Sequence, residues 1–121
     1  MSESSPAIVS KQEGDLTVVR FAASTVKANE YTIRASQELV RLAQETGEKV
    51  LFTLENVQFM SSFAIAALVS FNRTLRERGC ELKVCCVPPE IRKVFKATQI
   101  DRTLELFDSR EKALAAFGPN T

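Results

Sequence analysis

The sequence predicts an α/β protein of one domain, in which helices cover a mostly parallel sheet. Runs with strand character alternate along the chain with segments whose apolar residues recur at helical spacing. The length of 121 residues suits one sheet with its helices and is too short for two independent cores. The hydrophobic fraction of 45% and the charged fraction of 26% are typical of a chain that folds by itself.

A β-hairpin is predicted at the start of the chain. Apolar residues alternate or cluster in residues 7–10 and in residues 16–21. Between them, residues 13–15 have the sequence Glu-Gly-Asp, which is typical of a turn. We therefore expect two antiparallel strands.

The first predicted helix spans residues 29–46, and Gly47 is expected to cap its C-terminus. Small and apolar residues recur there at helical spacing, which predicts one buried face. That face consists of Thr32, Ala35, Leu39, Leu42 and Ala43. Residues 50–54 follow as a nearly continuous apolar run, as expected of a strand buried on both faces in the middle of a sheet.

The second helix is predicted from Ser62 to Gly79, with an apolar face and a charged face. Its apolar face consists of Ile65, Leu68, Val69 and Leu75. Residues 82–87 are then predicted to form a strand, which ends at the proline pair that begins with Pro88.

A third helix is predicted to begin at this proline pair, because proline suits the first helical turn. Its apolar face is expected to contain Ile91, Val94 and Phe95, and its solvated face Arg92, Lys93 and Lys96. Residues 103–107 are predicted to form a short last strand. Asp108 or Ser109 is expected to cap the last helix, which buries Leu114 and Phe117 and ends at Gly118 and Pro119.

The folded domain is expected over residues 7–118, after a flexible N-terminus over residues 1–6. The N-terminus is rich in serine and lacks the apolar segment of a signal peptide. No apolar run approaches the roughly 20 residues that a membrane span needs. These features predict a cytoplasmic protein without a membrane span.

The formal net charge of +1 provides no general attraction to nucleic acid or to an anionic membrane. With three cysteines, no CxxC spacing and no histidine, a zinc site is not expected. Cys85 and Cys86 are expected in adjacent strand positions with side chains on opposite faces, so packing is favoured over a disulfide.

The residues also argue against an enzyme. A histidine-based nucleophilic site is excluded, and neither GxSxG nor a glycine-rich phosphate loop is present. The carboxylate pairs Glu30 with Glu38 and Asp101 with Glu105 lie on amphipathic segments and are expected on solvated faces. We therefore expect no catalytic residue, no cofactor and no metal site.

The most informative motif is the serine pair Ser61-Ser62, which lies between the central strand and the second helix. A helix N-terminus presents free backbone N–H groups and the positive end of the helix dipole, and both favour a phosphate or an anionic partner. The serines are therefore candidates for a modification site, for a binding surface or for a simple helix cap.

Residues 54–68, with the sequence Leu-Glu-Asn-Val-Gln-Phe-Met-Ser-Ser-Phe-Ala-Ile-Ala-Ala-Leu, resemble the core signature of STAS domains, the fold of bacterial anti-sigma factor antagonists. The resemblance extends over the opening hairpin, residues 79–84, the segment that begins at Pro88, and the closing strand and helix. It implies a single STAS-like α/β domain with a mixed, mostly parallel sheet of about five strands and four helices.

In that family a stand-alone domain binds a regulatory protein, often an anti-sigma factor that is a serine kinase of the GHKL ATPase type. Phosphorylation of the second serine or threonine of the motif releases the partner, so the resemblance implies Ser62 as the phosphoacceptor and Ser61 as the less favoured one. The implied partner-binding residues are Met60, Ser61, Phe63, Ser24, Thr25 and Val26. A homodimer is also compatible with the resemblance.

The phosphoacceptor motif diverges from the family pattern. Met60 and Phe63 stand where aspartate and glycine are usual, and residues 23–26 replace a Gly-x-x-Asp pattern. A thioether cannot accept a proton from a hydroxyl, while an exposed Phe63 beside Met60 would form an apolar contact patch. Two alternatives therefore stay open: a non-phosphorylated scaffold subunit, as in stressosome-like assemblies, and a STAS domain that binds a small ligand.

Overall fold

A computed structural model describes residues 6–27 and 29–117. The flexible N-terminus expected over residues 1–6 lies, except for Pro6, outside the described residues. The same holds for Gly118 and Pro119, where the last helix was expected to end.

The described residues form seven strands and four α-helices. The strands are β1 (Ile8–Glu13), β2 (Leu16–Phe21), β3 (Thr25–Val26), β4 (Lys49–Thr53), β5 (Phe59–Met60), β6 (Glu81–Cys85) and β7 (Leu106–Phe107). The helices are α1 (Glu30–Ala43), α2 (Ser62–Glu77), α3 (Pro89–Ala97) and α4 (Arg110–Ala116). A 3₁₀ turn (Ile100–Arg102) precedes β7, so the last strand is shorter than the predicted one.

Five strands form the main sheet in the order β1-β2-β4-β6-β7. The hairpin strands β1 and β2 are antiparallel, and the remaining neighbours are parallel. The predicted mixed sheet of about five strands with four helices is therefore confirmed, with β4 in its centre. The structure adds a second, two-stranded parallel sheet of β3 and β5, which the sequence did not predict.

The two faces of the main sheet contribute to two apolar clusters. The larger cluster includes residues of α1, α2 and α3, and in it Phe52 of β4 contacts Phe21 and Phe71, with ring centroids 5.2 and 6.0 Å apart. The smaller cluster lies at α4 and consists of Leu16, Leu51, Cys85 and Ala113. Since β4 contributes to both clusters, it is buried on both faces as predicted.

Helix ends differ from the prediction in one case. Helix α1 ends at Ala43 with Gln44 as its cap, and the amides of Glu45 and Thr46 donate to the carbonyl of Leu42. The backbone turns there without a left-handed residue, so Gly47 is not the cap. Helix α2, in contrast, is followed by Gly79 with φ of +79°, a conformation that glycine adopts at little cost.

The apolar faces of α3 and α4 are only partly as predicted. Ile91 and Phe95 are buried, but Val94 is exposed. On α4, Ala113 is buried instead of Leu114, which is exposed, and Phe117 packs partly buried against the smaller cluster. Both helices cover the sheet with a narrow face, so only the residues nearest its centre are buried.

Two acidic residues expected on solvated faces are structural. The Glu38 carboxylate accepts hydrogen bonds from the amides of Ala7 and Ile8, at 3.0 and 2.8 Å to Oε1. Glu105 accepts one from the buried Lys83 ammonium at 2.8 Å. Their partners are distant in sequence, so helical periodicity could not reveal these roles.

The predicted side-chain directions of the cysteine pair are wrong, although both cysteines are free, as expected. Cys85 is the last residue of β6, whereas Cys86 lies beyond the strand with φ of +66°. This left-handed backbone turns the Cys86 side chain toward its neighbour, and its Sγ donates a hydrogen bond to Cys85 Sγ at 2.8 Å. The alternation of side chains along a strand does not apply once the strand has ended.

None of the helices in the described part of the chain is long and apolar enough to cross a membrane.

Candidate functional site

The β5–α2 junction is held in place by the small second sheet. In it β3 runs parallel to β5, with Thr25 opposite Phe59 and Val26 opposite Met60. The pairing continues into the junction, where the amide of Ser61 donates to the carbonyl of Val26 at 2.8 Å. The position of the serine pair therefore depends on a segment about 35 residues earlier in the chain.

A second set of hydrogen bonds fixes the loop that precedes β3. The carbonyl of Ser24 accepts from the amide of Gln58 at 2.7 Å, next to the start of β5. The hydroxyl of Tyr31 accepts from the amide of Ala23 at 3.0 Å and donates to the carbonyl of Ala7 at 2.7 Å. Helix α1 thus ties this loop to the first strand of the main sheet.

The two serines have different environments. Ser61 is the N-cap of α2, with extended backbone, and its Oγ accepts a hydrogen bond from the amide of Ala64 at 3.1 Å. Ser62 is the first helical residue and is exposed. Its hydroxyl has no hydrogen-bond partner among residues 6–27 and 29–117. Of these two serines, Ser62 is therefore the one that is exposed and whose hydroxyl makes no hydrogen bond to the described residues.

The electrostatics of the junction favour added negative charge. The first turn of α2, which the structure describes completely, contains no acidic residue to compete for the positive end of the dipole. Lys27, which follows β3, is exposed on the chain segment that pairs with the junction. No cluster of side chains suited to hold a metal ion occurs in the described part of the chain.

The apolar residues of the junction divide into exposed and buried ones. Phe63 is 43% exposed, as expected for a residue away from the core face of α2. Phe59 is 48% exposed, although the sequence analysis did not single it out. Met60 is only 7% exposed and belongs to the larger cluster. The exposed apolar side chains of the junction are therefore the two phenylalanines, whereas Met60 lies in the core.

The side chains of the β3 segment divide in the same way. Ser24 and Thr25 are exposed, whereas Val26 is fully buried. Met60 and Val26 were expected on the partner-binding surface, but the structure differs. These two residues lie opposite each other in the small sheet, and both turn their side chains into the core. Phe59 points outward and Met60 inward, but β5 has only two residues, so no alternation in the sequence could have identified Phe59.

These features define a class: a small α/β domain with a mixed five-stranded sheet and an exposed serine hydroxyl at the start of its central helix. The chain belongs to the STAS domain family, which matches residues 7–113. The predicted family is thereby confirmed.

The relatives include regulatory proteins. The anti-sigma F factor antagonist of Paenibacillus polymyxa is 24% identical over 67 residues, a match that covers 55% of this chain and 57% of that protein. The chain thus matches little more than half the length of this relative. Anti-sigma factor antagonists are regulatory proteins rather than enzymes.

Solved structures share the fold over almost the whole chain. An anti-sigma factor antagonist (STAS) domain protein from Planctomyces limnophilus has a TM-score of 0.79 and 25% identity, with 93% of this chain and 98% of that chain covered. The Bacillus cell fate determinant SpoIIAA, in its phosphorylated form, has a TM-score of 0.67 and 15% identity, with 92% and 99% covered.

Proposed function

We propose that this chain is a cytoplasmic, bacterial regulatory domain of the anti-sigma factor antagonist type, which acts by binding another protein. Its proposed binding region, the junction surface, consists of the exposed residues Ser24, Thr25, Phe59, Ser62 and Phe63. Family membership supports the regulatory role, and exposed aromatic side chains are typical anchors of protein interfaces. The proposed partner is an anti-sigma factor, including one that is a serine kinase of the GHKL type.

Ser62 is the proposed phosphoacceptor. The observation that carries this proposal is the contrast between the committed Ser61 hydroxyl and the uncommitted Ser62 hydroxyl. A phosphate on Ser62 would add nearly two negative charges. The positive end of the helix dipole stabilises this charge, but an interface formed on the junction surface is disrupted by it. Phosphorylation would therefore release the partner. SpoIIAA, which shares the fold, has itself been observed in a phosphorylated form.

The switch is tested by incubating the protein with ATP and an anti-sigma factor kinase of the GHKL type, followed by mass spectrometry of the tryptic peptides. We expect phosphate on Ser62 in the wild type and in Ser61→Ala, and none in Ser62→Ala. The Ser61 variant is the control for site assignment, since it removes the neighbouring hydroxyl, together with the helix cap, and leaves the Ser62 hydroxyl in place. An unmodified Ser62, under conditions that modify another STAS protein, would refute the switch.

The second candidate function is that of a non-phosphorylated scaffold subunit. It is favoured by the exposed Phe59 and Phe63 on either side of the serine pair, and by Met60 in place of the family's aspartate. A bulky ring next to Ser62 restricts the approach of a kinase and at the same time provides apolar area for a permanent contact. In this alternative the junction surface holds a partner or a second copy without a chemical switch.

Phe63→Ala tests the apolar contact directly. We expect the variant to bind its partner, or itself, at least tenfold more weakly, because aromatic anchors commonly contribute more than about 1.4 kcal/mol at an interface. Val94→Ala is the matched control, since Val94 is also 43% exposed but lies on α3. Affinity measured by calorimetry or analytical ultracentrifugation, with unchanged circular dichroism, gives the answer. Equal affinities for wild type and Phe63→Ala would contradict the role of this residue.

A further inference from the structure

The cysteine pair at the end of β6 is not explained by packing alone. Cys85 is fully buried, while Cys86 is half-buried and retains contact with solvent. Their sulfur atoms lie 2.8 Å apart, and a disulfide requires about 2.05 Å. Neighbouring cysteines in a strand would point apart, so the left-handed backbone of Cys86 is what brings the two thiols together.

The surroundings assign different roles to the two thiols. Burial, and then the hydrogen bond with Cys86, raises the pKa of the Cys85 thiol to about 12. Cys85 therefore stays protonated and shielded, and an oxidant from solvent meets Cys86 first. This is the arrangement of an attacking thiol next to a resolving thiol.

We infer that Cys85 and Cys86 form a dithiol that a hydroperoxide oxidises reversibly to a disulfide between adjacent residues. The Cys86 sulfur attacks the peroxide oxygen and loses its proton, the O–O bond breaks, and Cys86 becomes a sulfenic acid with release of water or an alcohol. The Cys85 sulfur then attacks the sulfenic sulfur, loses its proton, and displaces water. In sum, two thiols lose two electrons and two protons, and the peroxide is reduced to two waters or to water and an alcohol.

Because Cys85 and Cys86 are consecutive residues, the disulfide between them is easily reduced. Consecutive Cα atoms are about 3.8 Å apart, less than the about 4.4 Å at which ordinary disulfides begin. A ring closed over so short a distance is strained, and strained disulfides are the easily reduced, regulatory ones. A small dithiol therefore restores the reduced form.

The pair is linked to the segment that leads to the junction. The carbonyl of Cys85 accepts a hydrogen bond from the amide of Leu54 at 3.1 Å, at the point where the chain leaves β4 toward β5. On the other side, the amide of Cys86 donates to the carbonyl of Phe107 at 3.0 Å. Closing the disulfide rotates the peptide between the cysteines, so we expect it to weaken the bond to Leu54 and to loosen residues 54–58. Any consequence for partner binding rests on the proposed function, whereas the oxidation itself does not.

The oxidation is tested on the full chain without a partner. Reduced protein is treated with limiting hydrogen peroxide, remaining thiols are alkylated, and the tryptic peptide of residues 84–92, which contains both cysteines, is weighed. We expect a peptide that has lost two hydrogen atoms and carries no alkyl group, and that dithiothreitol returns to the reduced form. A peptide that has gained oxygen without losing hydrogen, or a disulfide between two chains, would overturn the proposal.

Two variants make the assignment specific. Cys80→Ser removes the third cysteine and is expected to leave the loss of two hydrogens unchanged. Cys86→Ser, a substitution of one atom at a half-buried position, is expected to abolish it. Loss of hydrogen in Cys86→Ser would mean that another pair is oxidised, and would refute the inference.

The link to the junction is tested by hydrogen exchange. Oxidised protein is expected to exchange the Leu54 amide at least several-fold faster than reduced protein. The internal control is the amide of Glu81, which donates to the carbonyl of Glu48 at 2.7 Å at the opposite end of the same two strands. Equal exchange at Leu54 in both forms would overturn the coupling. Because no partner or kinase is used, this result is independent of whether the proposed function holds.

Discussion

Two neighbouring serines show how strongly position within a helix start determines what a side chain can do. Ser61 has the extended backbone of an N-cap, which points its hydroxyl back at the amide of Ala64. Ser62 is already helical, so its hydroxyl projects from the surface. The sequence placed both at a helix N-terminus, but it could not separate cap from candidate phosphoacceptor, because helix boundaries are uncertain by more than one residue.

This difference predicts stability effects of different size for the two alanine variants. Ser61→Ala is expected to lower the free energy of unfolding by about 1 kcal/mol, because the Ala64 amide loses its acceptor. Ser62→Ala is expected to change it by less than about 0.5 kcal/mol, since an exposed side chain is removed. Urea unfolding followed by circular dichroism measures both values. Equal losses in the two variants would show that the cap assignment is wrong.

At the scale of elements, the least predictable part of the fold is the one that builds the site. Helices α1 and α2 each span several turns, so their apolar periodicity accumulates into a clear signal. Strands β3 and β5 have two residues each, too few to show alternation. The sequence analysis therefore predicted no strand in these two segments, where the structure has a small parallel sheet.

A paired substitution in β3 tests whether this small sheet supports the junction. Val26→Ala removes two methyl groups from a fully buried side chain, and we expect a loss of about 2 kcal/mol in the free energy of unfolding. Thr25→Ala alters the adjacent, exposed position and is expected to have little effect. In Val26→Ala the amide of Ser61 should also exchange faster, because its acceptor is the carbonyl of Val26. Unchanged stability and exchange would mean that β3 does not hold the junction.

At the scale of the molecule, contacts distant in sequence join the start of the chain to the helices. Glu38 of α1 binds the amides of Ala7 and Ile8, where the first strand begins. Tyr31, on the same helix, binds the carbonyl of Ala7. Helix α1 thus fixes the edge of the main sheet as well as the loop before β3.

The Glu38 contact predicts a stability loss that a surface carboxylate would not give. Glu38→Ala is expected to lower the free energy of unfolding by about 2 kcal/mol, since two amides lose a charged acceptor. Gln37→Ala, at the preceding exposed position of the same helix, controls for helix propensity. Thermal and urea unfolding of the two variants provide the comparison. A Glu38 variant as stable as the Gln37 variant would return Glu38 to the solvated role expected from the sequence.

The sequence by itself determined the order of the main elements, the central buried strand and the family, because each depends on patterns within a continuous stretch of chain. Only the tertiary structure decided that Phe59 is exposed while Met60 is buried, that the Ser62 hydroxyl is free, and that β3 pairs with β5. The same is true of the contact between the sulfurs of Cys85 and Cys86. Side-chain direction at these positions depends on local backbone conformation and on hydrogen-bond partners far along the chain, and neither is encoded in the periodicity of a single segment.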